Sequence, residues 1–163
     1  MNWKGKLIAL VLWGTAIGAL GTGIYVAINE QVENRIFTAQ FITDIKQVTR
    51  GKMIVLDIRI HKDAGILETF YMNRENNTAG TGLTDPEAKD VQKTIDDAIE
   101  WAMINRGITV YKWAWAREDR QGELFMYIQA ACDARHLLEK NPSPNCSFSD
   151  RWMPLPARNQ RYR

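Results

Sequence analysis

The chain has 163 residues, with 21 basic and 19 acidic side chains for a formal net charge of +2. That balance argues against nucleic acid as a partner, and the basic residues show no aromatic interleaving beyond ordinary strands. Outside its first apolar run about 130 residues remain, enough for one compact domain and not two.

Residues 1–6 are read as a short cytoplasmic end carrying Lys4 and Lys6. Leu7 to Ala27, LIALVLWGTAIGALGTGIYVA, is 21 residues without a charge, and a helix needs about 20 apolar residues to cross roughly 30 Å of hydrocarbon. Residues 7–28 are therefore expected to be a single transmembrane helix embedded in membrane lipid. Lys4 and Lys6 precede it while Glu30 and Glu33 follow it. The positive-inside bias then places the N-terminus in the cytoplasm and the remainder in the periplasm, anchored in the inner membrane. Ala19-Leu20-Gly21 also fits a small-x-small cleavage site, on which reading the remainder is exported without the anchor. Gly14 and Gly18 form a GxxxG pair with Gly21 three residues further on. A helix face this bare lets a second helix approach closely, so homo-oligomerisation through it is expected, although glycine is common in membrane helices generally.

Residues 29–51 place Val32, Ile36, Phe41, Ile45 and Val48 between charged positions, the pattern of a membrane-proximal amphipathic helix ending at Gly51. MIVLDIRI alternates, with Ile54, Leu56, Ile58 and Ile60 expected on one face and Asp57 and Arg59 on the other. HKDAG supplies a turn and ILETFYM a returning strand, so 53–72 reads as a hairpin. NRENNTAGTGL is a loop. Thr84 followed by Pro86 and Glu87 is a capping-box start, Val91, Ile95, Ile99 and Met103 form an apolar stripe, and Gly107 suits the end of that helix. ITVYKWAWA and ELFMYIQ flank the turn-like REDRQG as a second hairpin, followed by a short helix in AACDARHLLEK. A single longer helix from Glu123 is the alternative. Residues 141–163 hold four of the five prolines and end with Arg158, Arg161 and Arg163, which reads as an extended basic tail.

Residues 52–140 are thus expected to be an exported α+β domain: a four-stranded antiparallel sheet packed by two or three helices. Cys132 and Cys146 lie in a compartment where a pair persists as a disulfide, and a bridge closing this loop is worth about 3 kcal/mol. Free thiols or a metal pair are disfavoured, because neither CxxC spacing nor a second Cys/His pair is present. Asn76-Asn77-Thr78 and Asn145-Cys146-Ser147 match the glycosylation acceptor pattern, informative only in a host that uses it.

Little catalytic chemistry is visible. TAGTGLTD lacks the Lys-Ser/Thr ending of a phosphate loop, and no GxSxG occurs. His61 beside Asp63, and His136 three residues after Asp133, are more economically solvated or capping groups than an acid-base or metal site. Glu87, Asp90, Asp97 and Glu100 read as the solvated face of their helix. Tyr111, Trp113 and Trp115 share one strand face: core if a helix covers it, a partner surface if it is open. No enzyme activity, cofactor or metal is expected, and a protein partner is.

The span with its continuation Gln31 to Val48, the strand MIVLDIRI, and FMYIQAACDARHLLEK with Cys132 in it together resemble the T-even bacteriophage holins. These proteins form lethal membrane lesions that release endolysin at a timed moment. The resemblance implies that subunits accumulate through the span and that a regulator docks on the exported domain. The competing reading is a membrane-anchored periplasmic assembly or adaptor subunit of an envelope, secretion or conjugation machine, using the sheet edge, the Trp strand or the tail as its contact. A sensor is disfavoured, since about six residues before the span cannot carry an output domain.

Overall fold

A computed structural model describes residues 27–74, 82–140 and 145–155. Residues 7–26 of the expected span, its face of Gly14, Gly18 and Gly21, the first glycosylation pattern and the ends of the tail lie outside the described residues. No helix among the described residues is long and apolar enough to cross a membrane. The chain divides into two units, Met1–Ala39 and Gln40–Arg163.

Helix α1 is described from residue 27 to 48. In the first unit its Ile28, Val32 and Ile36 are exposed; in the second its Phe41 and Ile45 are buried. The apolar positions of the amphipathic pattern thus differ in burial between the two units. The helix stops two residues before the left-handed pair Arg50 and Gly51. There the Gly51 N–H donates to the Lys46 carbonyl at 2.8 Å, satisfying a carbonyl left open at the helix end. The Thr49 hydroxyl donates back to the Ile45 carbonyl at 2.7 Å and accepts from the Met53 N–H at 3.4 Å, joining the helix end to the first strand.

The second unit is α+β, built on one mixed six-stranded sheet. Its strands are β1 (Met53–His61), β2 (Ile66–Asn73), β3 (Val110–Glu118), β4 (Leu124–Asp133), β5 (Cys146–Ser149) and β6 (Met153–Pro154). A short 3-10 turn, Lys62–Ala64, joins β1 to β2. Helix α2 (Asp85–Arg106) joins β2 to β3, and the five-residue α3 (Ala134–Leu138) follows β4. The order is β1-β2-β3-β4-β5, with β6 also on β4.

Two expectations are corrected here. The sheet has six strands and not four, because two short segments of the supposed tail, β5 and β6, pair antiparallel with β4. It is mixed and not antiparallel, because α2 carries the chain back along the sheet before β3 begins, which sets β3 parallel to β2. Both hairpins, β1–β2 and β3–β4, are antiparallel.

A bulge corrects a third. The β1–β2 register shifts between Val55 and Asp57, so Leu56 is an extra residue and the faces exchange there. Ile54 shares a face with Met72, while Ile58 and Ile60 pair with Thr69 and Leu67 on the other. The alternation written in MIVLDIRI is therefore broken in its middle.

Helix α2 begins as its sequence dictates. The Glu87 carboxylate accepts from the Thr84 N–H at 2.8 Å, and Lys52 Nζ approaches both of its oxygens, at 2.9 and 3.2 Å. These donors, the Thr84 amide first and Lys52 after it, hold the Glu87 carboxyl down at about 2 from an ordinary 4.5. Glu87 is thus a buried cap and not part of a solvated acidic face, whereas Asp90, Asp97 and Glu100 are exposed. At the other end Gly107 adopts a left-handed φ of 65° and donates to the Met103 carbonyl, while the Ile108 N–H reaches Ala102. Val91, Ala98, Ile99 and Ala102 are the buried side of the helix.

Candidate interaction surface

Side chains paired across a sheet share a face, and register assigns two faces here. One carries Leu67, Thr69 and Tyr71 of β2, paired with Tyr111, Trp113 and Trp115 of β3. The burial of these side chains decides which part of the face is covered. Leu67, Thr69, Tyr71 and Tyr111 are all buried there. The Tyr111 hydroxyl is hydrogen-bonded to Thr69 Oγ1 at 2.7 Å and to the Tyr71 hydroxyl at 2.9 Å. Burial pushes the Tyr111 phenol up to about 12, and burial with the neighbouring Tyr111 pushes Tyr71 well above its usual value. Three hydroxyls enclosed in apolar surroundings satisfy one another, which is the condition for burying them at all.

Tyr111 is accordingly core and takes no part in a surface. Trp113 and Trp115 are half-buried, Trp115 with its ring 5.7 Å from that of Tyr71. Beyond them the same face continues outward. Arg117 pairs with Phe125, and Phe148 of β5 pairs with Ala130, which is itself opposite Trp113. After β5 the chain turns back, with the Arg151 N–H on Ser149 Oγ at 3.4 Å and the Gln129 amide on the Arg151 carbonyl at 3.4 Å. This return lays Trp152 against Phe125 and Tyr127, with centroid separations of 6.1 and 6.2 Å. The Arg117 guanidinium stands 4.2 Å from the Trp152 ring and 5.6 Å from Tyr127. Such stacking is worth about 0.5–1 kcal/mol at an exposed site.

The outcome is an aromatic face that is covered at Tyr111 and open at the β5–β6 end. Phe148 is 72% exposed and Trp152 50%. Large apolar side chains left in water beside an arginine are characteristic of the centre of a protein interface. Sequence reasoning missed Phe148, Trp152, Phe125, Tyr127 and Arg117. The signal available was FSDRWM, two aromatics and a methionine inside an otherwise polar, proline-rich stretch.

What fixes this edge is covalent. Cys132 and Cys146 are joined by a disulfide, and the Asp133 N–H donates to the Asn145 carbonyl at 3.0 Å beside it. The Leu155 N–H donates to the Leu124 carbonyl at 3.0 Å, and the Leu155 side chain packs against Phe70, Ala114 and Met126 on the opposite face.

That opposite face carries a shallow groove of about 340 Å³ floored by Phe70, Ala114 and Met126 and edged by Glu68, Lys112 and Gln129. Glu68 is engaged by His61 at 3.0 Å and by Lys112 at 3.7 Å, and Arg59 pairs with Asp57 while lying 5.1 Å over the Phe70 ring. His61 thus joins Lys112 as a partner of Glu68 beside the groove. His136 sits elsewhere, in α3, where its backbone N–H donates to Asp133 Oδ1 at 3.0 Å and, as the largest cause, holds that carboxyl below its ordinary value. Among the described residues, no three His, Cys, Asp or Glu side chains converge as a metal site would need.

No known family model, curated protein or solved structure matches this chain.

Proposed function

We propose that this chain is a membrane-anchored assembly or adaptor subunit. The uncharged run Leu7 to Ala27 holds it in the inner membrane, and the periplasmic α+β domain docks a partner protein through the aromatic β5–β6 edge. The observation that carries the reading is the exposure of Phe148, on a strand that a disulfide joins to β4, and of Trp152 in the return that follows it. Rigid aromatics bury much area while losing little conformational freedom, so a preorganised pair at a sheet edge favours association. The role is binding and not catalysis, and it uses no cofactor. The test is affinity purification of the full chain from host membranes, beside the Phe148→Ser/Trp152→Ser variant. A partner retained by the parent and lost by a folded, disulfide-bonded variant supports the reading. The same partners on both would end it.

A second reading is favoured by Gly14, Gly18 and Gly21 in the uncharged run: a holin-like subunit whose spans accumulate and permeabilise the membrane. Induced expression with a membrane-impermeant dye separates the two. Abrupt death with dye entry after a lag supports lesion formation, and continued growth with the chain in the membrane fraction supports the adaptor.

A further inference from the structure

Helix α1 exposes three large aliphatic side chains in a row: Ile28 at 55%, Val32 at 48% and Ile36 at 64%. Steps of four residues keep them within one stripe, each turned by roughly 40° from the last. Gln31 and Glu33, also exposed, flank that stripe. Back from Ile28 the sequence carries Tyr25, Gly21, Gly18 and Gly14 at steps of three, four, three and four. That is the alternation of a heptad seam, which Val32 continues and from which Ile36 departs by one residue, Arg35 standing at the next seam position.

We propose that this stripe is a contact between two copies of the chain, a parallel helix pair in which Ile28, Val32 and Ile36 meet their counterparts. The proposal rests on the membrane-anchored reading for its orientation and part of its strength. Two chains inserted in the same sense can align these helices only in parallel, and in register if the glycine positions meet. Three aliphatic layers would be a weak seam between freely diffusing molecules. Confinement to one membrane raises the effective concentration and lets a short seam hold. A second copy fits better than a lipid surface, because the stripe is narrow and has acidic Glu30 and Glu33 close by, where an interfacial helix would carry lysines and arginines.

The chain lends itself to a direct test, because both native cysteines are bonded to each other and no thiol is free. Single variants Ile28→Cys, Val32→Cys and Ile36→Cys of the full chain, with Gln31→Cys and Glu33→Cys as neighbours roughly 100° around the helix from the stripe's centre, would be expressed in host membranes and oxidised in place. The expected result is covalent dimer at 28, 32 and 36 in several-fold excess over 31 and 33. Equal cross-linking at all five positions, or none at any, would overturn the seam. So would stripe cysteines that resist an aqueous thiol reagent without forming dimer, the pattern of burial in lipid. Pelleting the membranes reads the anchor separately. Stripe-specific dimer in the soluble fraction would keep the seam and discard the anchor, whereas a membrane-bound chain lacking stripe-specific dimer would keep the anchor and discard the seam.

Discussion

Cys132 and Cys146 stand directly opposite each other in the antiparallel pairing of β4 with β5, and a disulfide joins them. β5 has only four residues, so its ladder bonds alone give it a weak hold. Replacing both cysteines by alanine should lower unfolding stability by about 3 kcal/mol, the chain-entropy value for a loop of this size. Urea titration of parent and variant under oxidising conditions checks the loss. Hydrogen exchange should show it concentrated at 146–149, and an unchanged midpoint would mean that the ladder suffices.

Glu87 makes the stability depend on acidity. Its carboxyl is held at about 2 in the folded chain against an ordinary 4.5. A depressed carboxylate contributes stability that is full above the unfolded value and is lost as pH falls through the folded one. The urea midpoint should therefore decline between about pH 4.5 and pH 2. In Glu87→Gln the decline should be shallower, with a lower midpoint at neutral pH. Parallel curves for the two proteins would remove Glu87 as its source.

Tyr111→Phe leaves the buried hydroxyls of Thr69 and Tyr71 without their shared partner. The expected cost is about 1–3 kcal/mol, the penalty for stranding buried polar groups. The parent should also lose stability between about pH 10 and pH 12, because a phenol raised from 10.0 to about 12 stabilises the fold fully below the unfolded value and loses that effect as pH rises through the folded one. Alkaline ultraviolet titration together with denaturant midpoints measures both. Retained stability in the variant would show that the remaining hydroxyls find other bonds.

Ile99 is completely buried on the inner side of α2. Ile99→Ala should cost about 2–5 kcal/mol through lost burial and the cavity left behind. Calorimetry reads this as a lowered Tm. A change under 1 kcal/mol would imply that the site collapses around the smaller side chain.

How far these features could be read from the sequence depends on how local their causes are. The α2 start at Thr84 and Glu87, its end at Gly107 and the two hairpins are written in neighbouring residues, and period and turn chemistry revealed them. The parallel pairing of β2 with β3 belongs to no short window, since the length and return of α2 create it. Leu56 is one extra residue inside an otherwise regular alternation, and only its partner strand shows that the faces exchange there. The aromatic face was legible at Tyr111, Trp113 and Trp115. Which end of it would be open depended on packing distant in sequence and on a tail whose strands exist through pairing with β4.

The β2–β3 junction also bears on how the domain forms. The Thr109 N–H donates to the Gly65 carbonyl at 2.9 Å, although the two residues lie 44 apart in sequence. Each hairpin can zip from its own turn within microseconds, whereas joining them requires closing that long loop first. A nascent chain halted before Val110 therefore holds a lone hairpin with an unpaired β2 edge. The two halves become one cooperative sheet only once α2 has been made and has folded back.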